Sequence, residues 1–132
     1  MPDKKFEDLP VWRDSRELVR EIFKIARGKA LYKEFSFRKH LERTAVSIMA
    51  NIAEGYERDG DKEFVQFLSQ AKASAGELRS HLYVALDMDF IESKEFDSLT
   101  HKATLISKQL SGLIRYIKKS KVGGRKYKSN NV

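Results

Sequence analysis

Apolar residues recur at three- and four-residue steps through four stretches of this chain, and nowhere do they alternate long enough to suggest a strand. In the first stretch Trp12, Ser15, Val19, Ile22 and Ala26 hold the spacing, with Val11, Leu18 and Ile25 beside them. Arg13, Arg16, Glu17, Arg20, Glu21, Lys24 and Arg27 fill the other side. The pattern predicts an amphipathic helix over residues 10–28, opened at Asp8 and Pro10 and stopped near Gly28. Trp12 reads as a core anchor rather than a ligand-stacking ring, because aromatic side chains dominate core burial. Residues 1–8 are polar and predicted loose.

The segment 29–35 reads as a connection, after which Ser36 is placed to cap a second helix over 36–58 along Phe37, Leu41, Ala45, Ile48 and Ile52. Asp59-Gly60 signals a turn, and Asp61 is placed to cap a third helix over 61–87. Its stripe is Phe64, Leu68, Ala71, Ala75, Leu78, Leu82 and Ala85. Gly76 costs that helix about 1 kcal/mol of propensity against alanine, which implies a close helix contact there. The stretch 87–92 interrupts the pattern, and Ser93 is a candidate cap for a fourth helix over 93–120. Here Phe96, Leu99, Ala103, Ile106, Leu110, Leu113 and Ile117 alternate steps of three and four, the spacing of bundle packing. Four amphipathic helices on short connections imply an all-α, antiparallel up-and-down four-helix bundle over residues 1–120.

The second helix carries the most information. Ala45, Val46, Ile48, Met49, Ile52 and Ala53 leave little room for a solvated face, which predicts burial at the centre of the molecule. Through that face runs a polar stripe of Arg43, Ser47, Asn51, Glu54 and Arg58. The third helix has its own, through Gln66, Gln70, Ser74, Glu77 and His81. A carboxylate in such a place requires partners. Facing stripes would let Arg43, Asn51 and Glu54 pair with Glu77, Gln70 and Gln66, within one chain or between copies. Arg43, Ser47, Asn51, Glu54, Arg58, Gln70, Ser74 and Glu77 are thus candidates for a structural or assembly seam. A stripe that simply faces water is the simpler alternative.

Charge changes the picture at one end. The net charge is +7, and Lys118, Lys119, Lys121, Arg125, Lys126 and Lys128 supply six of those charges, leaving residues 1–117 at +1. Residues 121–132 are predicted to form a basic tail without ordered structure, favoured by Gly123-Gly124 and Asn130-Asn131. Those six cations are candidate nucleic-acid contacts, with Tyr116 and Tyr127 available for base stacking. A solubilising tail is the competing reading. The chain has no cysteine, which removes disulfides and thiolate metal sites. No apolar run approaches the roughly 20 residues needed to span a bilayer, and no apolar segment follows the first lysines. The chain reads as cytoplasmic, with no membrane partner.

Catalytic constellations are harder to find. A di-iron bundle needs Glu-x-x-His pairs, and none occurs; Glu77 precedes His81 by four, and His40 and His101 stand elsewhere. Ser47 and Ser74 have no histidine nearby in sequence, and Gly123-Gly124 lacks the flanking strand and helix of a phosphate loop. The expectation is no enzyme, no cofactor, no metal and no small-molecule substrate.

The stretch from Arg43 to Gly55, Arg-Thr-Ala-Val-Ser-Ile-Met-Ala-Asn-Ile-Ala-Glu-Gly, carries a family resemblance. It resembles the four-helix-bundle proteins encoded in intervening sequences of bacterial 23S ribosomal RNA genes. Arg43, Ala45, Val46, Ser47, Ile48, Asn51, Ile52, Ala53, Glu54, Gly55 and Arg58 match that family's signature in register, and the opening Phe6, Leu9, Val11 and Trp12 is similar to its start. Lys62, Glu63, Phe64, Ser74, Glu77 and Leu78 extend the match, to about Ile117. Departures are Phe37 for leucine, His40 for glutamine, Met49 for proline and Ala73 for glycine. The resemblance implies a left-handed bundle and a ring-shaped homo-oligomer, a pentamer. The family is tied to ribosomal RNA by genetic location rather than by a binding site, and the first expectation is a non-enzymatic, oligomeric module associated with RNA or a nucleoprotein complex. An adaptor bundle that binds only itself and a protein partner is the alternative.

Overall fold

The computed structural model describes residues 5–122, with side chains through Ser120. A 3-10 turn, Phe6–Asp8, leads into α1 (Pro10–Ile25), α2 (Lys29–Tyr32), α3 (Phe35–Glu57), α4 (Asp61–Asp87) and α5 (Ser93–Val122). The described residues contain no strand, so the fold is all-α, with α2 a single turn between longer helices. α3 packs on α4 and α4 on α5, and α1 closes the ring against α3 and α5. Along the α3–α4 contact Gly55 faces Phe64 and Phe67, while His40 faces Glu77 and Phe37 faces His81. Numbers rise on one helix as they fall on the other. Tyr83 against Phe96 at one end of α4–α5, and Val65 beside Ile117 at the other, repeat the relation. Glu21–Lys102 and Asp14–Gln109 repeat it between α1 and α5. Neighbouring helices therefore run antiparallel.

The seams supply the core. Leu18 and Ile22 of α1, Ile48 and Ile52 of α3, Leu68, Leu78 and Leu82 of α4, and Ile106 and Leu110 of α5 are all essentially fully buried. Each contributes about 1.5–3 kcal/mol of transfer free energy, set against the entropy of ordering the chain. Trp12 is half-buried, packed on the core with Phe6 edge-on to it at 5.1 Å.

Several local features differ from expectation. Residues 5–8 are not loose: Arg13 donates from Nε to the Glu7 carbonyl at 2.9 Å and from a terminal guanidinium nitrogen to the Asp8 carbonyl at 3.1 Å, tying the opening turn to α1. The predicted connection over 29–35 contains α2, whose Leu31 is fully buried; one apolar side chain is enough to pull that turn onto the core. Arg38 secures the following corner by donating to the Tyr32 carbonyl at 3.1 Å and stacking on Tyr32 and Phe35.

The expected caps also move. Ser36 and Asp61 lie inside the first turns of α3 and α4, and the capping positions are Glu34 and Gly60, the latter at φ 102°. Before α5, Glu95 reaches back to accept the Glu92 backbone N–H at 2.9 Å, half of a capping box. α4 ends in a Schellman turn: Phe90 N–H bonds the Ala85 carbonyl at 2.8 Å and Asp89 N–H the Leu86 carbonyl at 3.0 Å. This turn puts Asp89 at φ 61°, where glycine is the usual occupant. The close contact expected at Gly76 is absent, since a Cβ there would meet nothing within 4 Å; it falls at Gly55 instead.

Candidate functional site

The polar stripe of α3 is less buried than its apolar composition suggests. Arg43 and Glu54 are exposed, Ser47 and Asn51 half-buried, and Val46 and Ala50 open a solvent-facing strip beside them. α3 therefore borders the surface along this face, because small apolar residues such as Ala50 fit an exposed helix face as readily as a core. The polar groups are satisfied locally. Ser47 Oγ donates to the Thr44 carbonyl at 2.7 Å and the Asn51 amide to the Ser47 carbonyl at 2.8 Å. A hydroxyl committed to a helix carbonyl is a poor nucleophile, and no base stands in contact with it among these bonds.

The stripes of α3 and α4 flank the α3–α4 junction, but within one chain the suggested partners do not meet. Glu54 accepts from Arg58 of its own helix at 2.9 Å, rather than from α4. Arg58 reaches across to Glu63 at 3.9 Å and stacks over Phe67 with its guanidinium 5.0 Å from the ring centre. The hydrogen bond Arg58 donates to Glu54 raises the Arg58 pKa above its already high ordinary value, with the nearby charges of Glu54 and Glu63 adding to it against some desolvation. Gln70 is exposed and Ser74 half-buried between the two ends.

At the far end Glu77 meets histidine rather than Arg43. Its Oε2 lies 3.5 Å from His40 Nε2 on α3 and 3.3 Å from His81 Nε2 one turn on along α4. The two imidazoles stand edge to face at 4.6 Å, and Phe37 packs against His81 at 6.3 Å. The step from Glu77 to His81 was visible in the sequence; the arrival of His40 was not, since only the α3–α4 register brings it there.

The basic end is described in part. Lys118 and Lys119 are exposed near the end of α5. Arg125, Lys126 and Lys128 lie outside the described residues, as does the side chain of Lys121.

Fold and surface define a class first: an all-α helical bundle with polar stripes beside the α3–α4 junction and its excess charge at one chain end. The chain belongs to the 23S rRNA-intervening sequence protein family, whose profile matches residues 7–112. A solved structure from Bacteroides thetaiotaomicron, described as a protein of unknown function from the S23 ribosomal protein family, is similar to it. That likeness has a TM-score of 0.73 at 27% identity, covering 79% of this chain and 97% of the other. No curated protein matches the chain. Among the described residues no helix is long and apolar enough to cross a membrane.

Proposed function

We propose that this chain is a non-enzymatic, oligomeric module that associates with RNA or a nucleoprotein complex. The observation that carries the reading is the basic end: exposed Lys118 and Lys119 on α5 begin a run holding six of the chain's seven excess positive charges. The family match ends at residue 112, before that run; in this reading the bundle is the scaffold and the basic end makes the contact. The names of the family and of the similar structure, which refer to 23S rRNA and to a ribosomal protein, support the partner class. A ribosomal-RNA partner would place the protein in the cytoplasm. Assembly, with a pentamer as the expected form, would use the α3–α4 junction through Arg43, Ser47, Asn51, Glu54, Gln70 and Ser74. A ring would crowd the basic ends of several copies and raise the local positive potential.

Fluorescence anisotropy with labelled single-stranded RNA across a salt series tests the proposal. Log affinity should fall with log salt by about 0.7 per phosphate contact. Removing residues 121–132 takes away four cations, and should flatten the slope by up to about 3 units per engaged tail. The melting temperature should hardly move, because the described core residues all lie at or before Ile117. Equal binding with an unchanged slope would leave the adaptor reading in its place. Sedimentation velocity at micromolar concentration checks the assembly, and a monomer there refutes it.

A further inference from the structure

Two of the chain's three histidines converge on one carboxylate. His40, Glu77 and His81 each present a ligand atom, and these atoms all lie within 4.8 Å of one another. We propose that the three residues form a divalent transition-metal site of the zinc class, tying the start of α3 to the second half of α4. The proposal is independent of any RNA association.

Geometry is the first argument. Zinc bonds to imidazole nitrogen and carboxylate oxygen at about 2.0–2.1 Å, so two ligand atoms of a tetrahedral centre are about 3.3–3.4 Å apart. The two histidine-to-carboxylate separations are 3.5 and 3.3 Å, already at that edge length. The third edge, between the histidines, would close by a turn of the His40 side chain, which is about half exposed.

The second argument is an unmet atom. His81 Nε2 is enclosed and makes no hydrogen bond, although Glu77 Oε2 is only 3.3 Å away, because the pair lacks the alignment a bond requires. An enclosed imidazole nitrogen without a partner is unfavourable, and a metal between the three groups would satisfy it. Phe37 holds the His81 ring by edge contact and is itself packed against Phe90, which limits the positions the ring can take.

The donor set selects the metal. Imidazole suits zinc, copper, iron and nickel, whereas magnesium and calcium prefer all-oxygen sites. The side chains nearest the Glu77 carboxylate in these contacts are the two imidazoles, with no lysine or arginine among them. Three protein ligands leave a fourth tetrahedral position for water or for a group from a second molecule. With His40 and Glu77 about half exposed, that position opens to solvent.

The test uses untagged full-length protein stripped with chelator. Titration with zinc chloride by calorimetry should show one ion per chain, and cobalt(II) should develop the visible absorption bands of a four-coordinate site. His40→Gln and His81→Gln should each weaken zinc binding by at least about 100-fold, since even outer-shell changes cost 10- to 100-fold. His101→Gln, at an exposed position on α5, should bind as the parent does. Circular dichroism of the metal-free variants should match the parent, which separates loss of a ligand from loss of the fold. Absence of saturable uptake at millimolar zinc overturns the proposal. So does uptake that survives the substitutions at His40 and His81.

Discussion

Gly55→Ala and Gly76→Ala make the same chemical change in two helices and should move stability in opposite directions. A Cβ on Gly55 would stand 2.6 Å from Phe67 Cβ and 3.1 Å from Phe64 Cδ1. Carbon atoms in ordinary contact sit about 3.5–4.0 Å apart, so α3 and α4 must separate by roughly 1 Å there. Rotating a side chain cannot relieve this, because both Cβ atoms are fixed to backbone. Overpacking of this kind costs about 1–3 kcal/mol, and alanine's helix propensity returns about 1 kcal/mol. With the clash at the severe end, the net loss is about 2 kcal/mol. For a domain of this size each kcal/mol moves the melting temperature by about 3–5 °C, so Gly55→Ala should melt about 6–10 °C lower. At Gly76 an added Cβ meets nothing within 4 Å. There propensity acts alone and should stabilise by about 0.5–1 kcal/mol. Thermal melts followed by circular dichroism, with parent and variants at equal concentration, read both. A Gly55→Ala protein as stable as the parent would refute the claimed closeness of α3 and α4. Destabilisation by Gly76→Ala would mean that another surface covers that glycine.

Asp89→Gly should raise stability by about 0.5–1 kcal/mol in urea denaturation, because glycine adopts the positive φ of this turn without a Cβ penalty; a loss of stability would contradict the turn. Glu54→Ala should shift the melting temperature by less than about 2 °C, since the ion pair with Arg58 is exposed on both sides. A larger drop in the assembled protein that disappears on dilution would place Glu54 in the interface. Ser15→Ala should be neutral or stabilising by up to about 0.5 kcal/mol, because the buried hydroxyl only doubles a helix bond at the Val11 carbonyl; a loss above about 1.5 kcal/mol would mean it has a further partner.

The long seams were legible in sequence because periodicity reports which residues share a face. Leu99, Ala103, Ile106 and Leu110 are all buried on α5, as their three-four spacing requires. Periodicity does not report how much of a helix is covered, so residues such as Val46 suggested an enclosed α3 that the structure leaves partly open. Nor does it report register between helices. That is why sequence could offer Arg43 as a partner for Glu77 only if the stripes faced each other, whereas within the chain Glu77 meets His40 and His81, and why the tight glycine is Gly55 and not Gly76. The caps escaped for a different reason. Ser36 and Asp61 have the right chemistry, but the caps fall two residues and one residue earlier, at Glu34 and Gly60, beside the Arg38 clamp and at a positive φ respectively.

The way α1 is held has a consequence for how the molecule comes together. α3, α4 and α5 are joined in series by short turns, so each pair can zip as a hairpin at small entropic cost. α1 packs on α3 across the α2 corner, but its contact with α5 runs through Glu21–Lys102 and Asp14–Gln109, partners 81 and 95 residues apart in the chain. Contacts of such sequence separation form late, since a large loop must close before they are rewarded. The three-helix unit should therefore exist briefly with an open slot, and α1 should be the first element to leave it during native-state fluctuations, visible as faster amide hydrogen exchange along Pro10–Ile25. In a crowded assembly that slot need not be filled by the chain that owns it. A neighbouring copy's α1 offers the same apolar stripe, which gives a route to oligomers locked by an exchanged helix.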